Sequence, residues 1–147
     1  MFGMFKRSNS YPAESKWSVQ QGEYGGKPMW VRRNDSAKQL RGHPDYNHRV
    51  GIAVPLRAPD EKGLPGSAEI SQLNAIEDLL SARLEANQDS LQVLAITTGG
   101  MREFIFYTRA AQTLQPVLEK LQLEVVTHEV QCYIEPDAEW SIYEELA

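Results

Sequence analysis

The hydrophobic positions of the chain follow two different periods, and each period predicts a different kind of element. Residues 17–24 and 28–34 predict two strands, because Gly25-Gly26 between them supplies the positive φ that a tight hairpin turn needs. Between residues 46 and 56, apolar side chains recur at every second position, which predicts a strand that buries one face. The first part of the chain therefore predicts a hairpin followed by a separate strand.

Two segments place apolar side chains at three- and four-residue steps, which is typical of helices. The first, over residues 67–87, has Ser67 in the N-cap position and carries one apolar stripe: Ile70, Leu73, Ile76, Leu80 and Leu84. The second stripe consists of Leu114, Val117, Leu118 and Leu121. Its helix has to begin near Pro116, because proline is tolerated in the first turn and not further inside.

Three more strands are predicted, at residues 91–98, 102–108 and 123–134. Gly99-Gly100 forms a second hairpin turn between the first two of them.

The strand over residues 102–108 is apolar on both faces. Phe104 and Phe106 point to one side, and Ile105 and Tyr107 point to the other. Such a strand lies in the middle of a sheet and is covered twice.

From residue 46 onward the predicted order is strand, helix, strand, strand, helix, strand. This is the order of the ferredoxin-like fold, an α+β arrangement of two split βαβ units with an antiparallel sheet. The N-terminal hairpin and a short C-terminal helix, with Asp137 as its N-cap, are additions that extend the sheet or cover its other face. We expect residues 1–15 to form a flexible tail and residues 16–147 to form one domain.

The composition is that of an ordinary globular protein. Of 147 residues, 41% are hydrophobic and 24% are charged, and no apolar run approaches the roughly 20 residues that span a bilayer. Residues 1–7 lack the apolar core of a secretory signal. The single cysteine, Cys132, excludes an intrachain disulfide and suits a reducing compartment. We therefore expect a cytoplasmic protein without a membrane partner.

Charge is distributed unevenly along the chain. Residues 1–50 carry a net charge of +5 and residues 51–147 a net charge of −10. One interpretation is a basic N-terminal unit docked on an acidic body. The other is a basic patch open to an acidic partner, formed by Arg32, Arg33, Lys38 and Arg41.

Residues that could carry catalysis do not form a working set in the sequence. His128 and Cys132 are four residues apart, which on a strand is about 13 Å and too far to share one metal ion. The adjacent acids Glu77-Asp78 diverge on a helix. Both Gly-Gly pairs belong to hairpin turns and do not cradle phosphate. We expect no metal, no cofactor and no catalytic residues.

RNA binding is a further alternative, because the same order of elements occurs in RNA-recognition modules that stack bases on strand aromatics. Phe104 and Phe106 faintly match that pattern. The acidic body and the absence of aromatic residues at Val50, Ile52 and Val54 argue against a nucleic-acid partner. This alternative requires both phenylalanines to be exposed.

The leading hypothesis is a non-catalytic regulatory protein that acts through protein–protein contacts, as a monomer or a homodimer. Its contacts would include Asp137, Trp140 and Tyr143 on the last helix, because exposed aromatic residues dominate many interfaces. The other interpretation of Trp140 and Tyr143 is structural: together with Trp17, Tyr24 and Trp30, they would join the hairpin and the last helix to the sheet. A specific version is an inhibitor of a nuclease or toxin, in which the acidic C-terminal residues meet a basic cleft. The alternative is a small domain, binding or enzymatic, that takes an anionic ligand in a pocket between sheet and hairpin, formed by Arg32, Arg33, Arg102 and Tyr107.

Several short segments, in this order, resemble one bacterial family. They are Trp17, Val31-Arg32-Arg33-Asn34, Val54-Pro55-Leu56, Ile76-Glu77-Asp78, Phe106-Tyr107-Thr108 and Asp137-x-x-Trp140-x-x-Tyr143. Together they resemble the family known as domain of unknown function six-nine-five, over nearly the whole chain. Its architecture is loosely similar to that of the small acidic inhibitor of ribonuclease E, which is also ferredoxin-like. That similarity implies a binding regulator rather than a catalyst and assigns no functional residue here.

Overall fold

The computed structural model describes residues 9–146 and has an α+β architecture, with one six-stranded antiparallel sheet and three α-helices. The strands are β1 (Trp17–Tyr24), β2 (Lys27–Asn34), β3 (His48–Pro55), β4 (Ser90–Thr98), β5 (Met101–Thr108) and β6 (Gln131–Pro136). The helices are α1 (Ser67–Leu84), α2 (Gln115–Glu124) and α3 (Ser141–Glu145). In the sheet the strands lie in the order β1-β2-β4-β5-β3-β6. Within residues 9–146, none of the helices has the length and apolarity needed to cross a membrane.

The two predicted hairpin turns are confirmed. Gly25 and Gly26 have φ values of 58° and 80°, and Gly99 and Gly100 have 59° and 81°. Two consecutive residues with positive φ match the twist of the flanking strands, and glycine adopts this backbone without a steric penalty. The sequence therefore fixes both of these connections locally.

The N-terminal hairpin extends the sheet and does not cover it. Strand β2 pairs with β4, from Met29 opposite Thr98 to Arg33 opposite Leu94. Strand β1 then forms the outer edge, so the sheet has six strands where the core alone would have four.

The first face of the sheet packs against α1 and α2. Val50, Ile52 and Val54 on β3 are fully buried there, as the period-two pattern predicted. Phe104 and Phe106 on β5 are fully buried in the same cluster. Because neither ring is accessible, the strand offers no stacking platform for RNA bases.

The second face is covered by irregular structure. Ile105 and Tyr107 of β5 are buried beneath a 3-10 turn (Asp35–Gln39) and beneath Trp140 and Tyr143 near α3. The prediction that this strand is central and covered on both sides is therefore confirmed. The chain itself supplies both covers.

Several predicted boundaries are wrong. Helix α1 ends at Leu84 and not at residue 87, because Asn87 and Gln88 have positive φ values of 58° and 59°. Its N-cap is Gly66, and Ser67 is the first helical residue. The helix predicted near Pro116 is confirmed, with the proline in its first turn.

The last strand and the last helix both start later than predicted. Helix α2 continues to Glu124 and residues 125–130 are irregular, so β6 begins at Gln131 and not at residue 123. Helix α3 begins at Ser141, because Trp140 has a left-handed backbone with φ of 55°. Asp137 still accepts a hydrogen bond from the Ser141 N–H at 2.9 Å, so it caps the helix from a turn further away than expected.

The predicted tail at residues 1–15 lies partly outside the described residues. Within the described part, the Tyr11 hydroxyl donates to the Ser90 carbonyl at 2.8 Å. The Ser10 N–H donates to the Gln39 carbonyl at 3.0 Å. Residues 10 and 11 thus contact the second face.

Gly51 lies at the point where the ring of Tyr133 crosses β3. A Cβ atom at this position would fall well inside van der Waals contact with the ring atoms of Tyr133. The ring atoms Cε1 and Cζ lie next to the position of this Cβ, and the Tyr133 hydroxyl donates to Glu103 at 2.7 Å. Because residue 51 has no side chain, the Tyr133 ring of β6 can pack directly against the backbone of β3.

We expect Gly51→Ala to displace the Tyr133 ring and lower the free energy of unfolding by about 1–3 kcal/mol, as overpacking does. Gly22→Ala is the matched control, because a Cβ there meets nothing within 4 Å. Urea denaturation followed by circular dichroism measures both. Equal stability of the two variants would contradict this account.

Candidate functional site

A cavity opens on the helix side of the sheet, next to the N-terminal hairpin. Strand register places Gln21, Trp30, Thr97 and Arg102 in one row across β1, β2, β4 and β5. The neighbouring row is Val19, Arg32, Ala95 and Phe104. All of these residues except Phe104 line a cavity of about 280 Å³, which we call the hairpin cavity.

Arg102 is the most unusual residue of the hairpin cavity. It is only 9% exposed, and its Nε donates to the Thr97 hydroxyl at 2.7 Å. No carboxylate lies within salt-bridge distance of it in the described part of the chain. Burial lowers the pKa of the Arg102 guanidinium, and the positive charge of Arg32 lowers it further. The cavity therefore contains a largely buried cation that has no direct counter-ion among residues 9–146.

Arg32 lies at the rim of the same cavity and is held by a carboxylate. Both of its terminal nitrogens donate to Glu77 of α1, and its guanidinium lies 5.2 Å from the centre of the Trp17 ring. Glu77 also accepts from the Gln92 amide at 2.7 Å. Glu77 therefore holds Arg32 directly, and it does not lie within salt-bridge distance of Arg102.

The other two residues predicted for an anion pocket lie on the opposite face of the sheet. The Arg33 guanidinium stacks 3.8 Å from the centre of the Tyr143 ring and pairs with Asp35 at 3.0 Å. Tyr107 is fully buried beneath Trp140. The structure therefore brings together Arg32 and Arg102 and separates them from Arg33 and Tyr107.

The aromatic residues of the C-terminal segment form an internal cluster. Trp140 stacks on Tyr107 with ring centres 4.2 Å apart, and it meets Tyr143 edge to face at 5.6 Å. The Trp140 indole N–H donates to the Tyr46 carbonyl at 2.8 Å, and the Tyr143 hydroxyl donates to the Asn34 carbonyl at 2.7 Å. Trp140 and Tyr143 are both 0% exposed, so these rings close the core and present no surface to a partner.

Asp137 and its acidic neighbours are engaged within the chain. Asp137 accepts from the Tyr107 hydroxyl at 2.7 Å and pairs with Arg49 at 3.5 Å. Burial raises the pKa of the Asp137 carboxyl, but hydrogen bonds from Ser141 and Tyr107 outweigh this and hold it below its usual value. Glu135 also pairs with Arg49, and Glu144 pairs with Arg41.

These ion pairs join the basic and acidic halves of the chain. Arg32, Arg41 and Arg49 come from the first fifty residues, and each contacts a carboxylate from the acidic remainder. This favours the interpretation of the uneven charge as internal complementarity. Arg102 does not take part in these ion pairs between the two halves of the chain.

Sequence analysis missed one buried acid–base pair. Glu69 in the first turn of α1 lies 2.7 Å from the His128 ring nitrogen Nε2. The same carboxylate accepts the backbone N–H groups of Arg57 at 2.6 Å and Ala58 at 3.2 Å. Because residues 125–130 are irregular, the assumption of a strand around His128 concealed this contact.

A larger cleft, of about 610 Å³, lies elsewhere, at the His48 end of the sheet. Its only arginine, Arg109, is engaged by Asp89 at 3.3 Å and by the Asn87 carbonyl at 2.7 Å. Within residues 9–146, no group of three or more His, Cys, Asp or Glu side chains is placed to hold a metal. Burial raises the pKa of the Cys132 thiol to about 11, which makes it a poor nucleophile. The hairpin cavity is therefore the better candidate site.

Comparison with protein-family models assigns the chain to a family. A model described as "Family of unknown function (DUF695)" matches residues 15–146. The chain belongs to this family. The match includes every strand and helix described above, and thus the whole hairpin cavity. Comparisons with curated proteins and with solved structures gave no match.

Two tyrosines of this DUF695 chain provide a matched test of the internal cluster. Tyr107 and Tyr133 each donate to a carboxylate at 2.7 Å, but Tyr107 is fully buried whereas Tyr133 is 37% exposed. We expect Tyr107→Phe to cost about 1.5–3 kcal/mol of unfolding free energy and Tyr133→Phe less than about 1 kcal/mol. Urea denaturation of both variants measures the difference, and equal losses would contradict a structural role for the Tyr107–Asp137 bond.

The Glu69–His128 pair predicts a dependence of stability on pH. Burial would raise the pKa of Glu69, but hydrogen bonds from Arg57, His128 and Ala58 outweigh it and hold the pKa below the usual 4.5. The stabilisation is therefore fully present above pH 4.5 and is lost as the pH falls through the lower folded-state pKa.

We expect Glu69→Gln to be less stable than wild type at pH 7, with the gap narrowing as the pH falls below 4.5. Urea denaturation at a series of pH values measures the gap. Exposed Glu61 supplies the control: Glu61→Gln should follow the wild-type curve throughout. A gap that is constant with pH would show that ionised Glu69 does not stabilise the fold.

Proposed function

We propose that the protein is a non-catalytic binding protein that takes up a small anion in the hairpin cavity. The observation that carries this proposal is Arg102, a buried cation next to a second arginine and without a carboxylate partner in the described residues. Burying an uncompensated charge is costly, and a residue in a cleft whose pKa is shifted by burial and by a neighbouring charge is a candidate for a functional site.

The shape of the cavity indicates the kind of anion. The outer nitrogens of Arg102 are left for a ligand, because its Nε is already bonded to Thr97. A carboxylate or a similar oxyanion between Arg102 and Arg32 would lie over the short side chain of Ala95. The ring of Trp30 and the side chain of Val19 then provide an apolar surface for the rest of the molecule. A small carboxylate with an aromatic or aliphatic body fits this arrangement best.

The fold supports a comparison with ferredoxin-like binding domains, which we also propose. Strands β4, β5, β3 and β6 are consecutive in the sheet, and α1 and α2 pack on one face of it. We interpret these elements as two split βαβ units. Under this proposal β1 and β2 are an addition at the β4 edge, and the addition creates the cavity.

The acidic C-terminal segment gives less support to inhibition of a nuclease or toxin. Glu135, Asp137 and Glu144 are occupied by Arg49 and Arg41, so a basic partner would have to displace existing ion pairs. We therefore place recognition at the cationic cavity.

Arg102→Met tests the proposal because it removes the charge and keeps most of the volume. We expect wild-type protein to bind benzoate in isothermal titration calorimetry, and the Arg102→Met variant to bind at least about 10-fold more weakly, since a buried charged contact is worth more than 1.4 kcal/mol. The variant should be at least as stable as wild type in urea, because the cost of burying the charge disappears.

Arg83→Met is the matched control. Arg83 is exposed, lies on α1 and pairs with Glu124 away from the cavity. The Arg83→Met variant should bind benzoate with the same affinity as wild type. Acetate and inorganic phosphate are further probes. Binding of benzoate alone would show that the cavity requires an apolar body on the anion, and equal binding of all three would show that the negative charge is sufficient. Absence of binding by all three probes, or equal binding by wild type and Arg102→Met, would overturn the proposed function.

A further inference from the structure

Strand β1 is an open edge of the sheet. It is eight residues long, and among residues 9–146 it pairs only with β2, along the full register from Trp17 opposite Asn34 to Tyr24 opposite Lys27. An edge of this length is a template for another strand unless its sequence blocks the approach.

The register shows which backbone groups of β1 face outward. Tyr24 and Lys27 flank a two-residue turn and form a hydrogen-bonded pair, so the even-numbered residues of β1 bond to β2. Lys16, also even-numbered, fits this pattern, because its carbonyl accepts from the Asp35 N–H at 2.8 Å just beyond the end of β2. The N–H and C=O groups of Trp17, Val19, Gln21 and Glu23 therefore point away from the sheet.

The side chains of β1 do not protect this edge. The strand contains no proline and no lysine, and Glu23 is its only charged residue. Val19 is 68% exposed and Tyr24 is 71% exposed, and with Trp17 they are three of the six exposed large hydrophobic residues in the described chain. The opposite edge, β6, is shorter and ends in Pro136.

We propose that a second copy of this chain pairs with β1 in antiparallel orientation, about a twofold axis at Gln20. A symmetric antiparallel pair must place one residue opposite itself. With Gln20 on the axis, Val19 lies opposite Gln21 and Trp17 lies opposite Glu23, so all four outward-facing residues form hydrogen-bonded pairs.

Two features favour a second copy over an unrelated strand. The register centred on Gln20 uses β1 from Trp17 to Glu23 without an overhang, and it brings no like charges opposite each other, because Glu23 faces Trp17. The chain's own helices and turns cover both faces of β5 at the centre of the sheet, which favours self-association through an edge. The proposed dimer has one continuous sheet of twelve strands.

The pairing would complete the hairpin cavity. Val19 and Gln21 form its outer wall and lie on the edge strand itself. In the dimer, Gln21 and Val19 of the second copy lie opposite Val19 and Gln21 of the first, on the same face of the sheet. The two cavities are then the two ends of one continuous groove. The pairing rests on the strand geometry alone and would stand if the anion proposal failed.

Cysteine cross-linking tests the register. Two residues opposite each other in a non-hydrogen-bonded pair have Cα atoms about 4.5 Å apart, which permits a disulfide. We therefore expect Gln20→Cys to form a covalent dimer under mild oxidation. Gly22→Cys is the control, since a side chain there meets nothing within 4 Å, yet the two copies of residue 22 would lie about 14 Å apart.

Sedimentation measures the association without a cross-link. We expect wild type to be a dimer and Val19→Lys to dissociate at least 10-fold more readily. Val126→Lys, at an 87% exposed valine far from the edge, should behave as wild type. Circular dichroism verifies that each variant is folded. A wild-type monomer at all soluble concentrations, or cross-linking of Gly22→Cys as efficient as that of Gln20→Cys, would overturn the proposal.

Discussion

The stacking of Trp140 on Tyr107 is the contact on which the second half of the core depends. Strand β5 is apolar on both faces, so the sheet is stable only if both are shielded from water. Helices α1 and α2 shield one face in a regular way. The other is shielded by a few large rings and a 3-10 turn, with Trp140 at the centre. The left-handed backbone of Trp140 costs about 1–3 kcal/mol, and burial of the indole offsets this.

Charge is organised around the same sheet in two different ways. On the face covered by α3, arginines meet carboxylates or rings: Arg33 contacts Asp35 and Tyr143, and Arg49 contacts Glu135 and Asp137. On the helix face, Arg32 likewise contacts Glu77 and the ring of Trp17, whereas Arg102 bonds only to the Thr97 hydroxyl. The contrast within one small molecule indicates that the missing counter-charge at Arg102 is not a general property of its packing. It is local to the cavity next to the hairpin.

The elements with strict periodicity could be predicted from the sequence, and the irregular ones could not. The Gly-Gly turns and the alternation on β3 and β5 depend on local chemistry, and they appear where expected. The cover of the second face depends on residues far apart in sequence, such as Tyr143 and Asn34, and has no local pattern.

The same distinction applies to the candidate site. The residue types of Arg32 and Arg102 suggested an anion pocket, but only the pairing of β2 with β4 decides that Arg32 joins Arg102 while Arg33 faces away. A one-residue change of register would have exchanged the two arginines. The Glu69–His128 contact escaped prediction because an irregular segment presents the histidine.

The hydrogen bonds that close the second face span unusually long stretches of chain. Tyr11 bonds to a carbonyl 79 residues away, Trp140 to one 94 residues away, and Tyr143 to one 109 residues away. During synthesis, the part of this cover that Trp140 and Tyr143 provide can therefore form only after β5 has been made, when residues 140–143 follow. A nascent chain that lacks these residues exposes aggregation-prone surface for as long as translation of that last stretch takes.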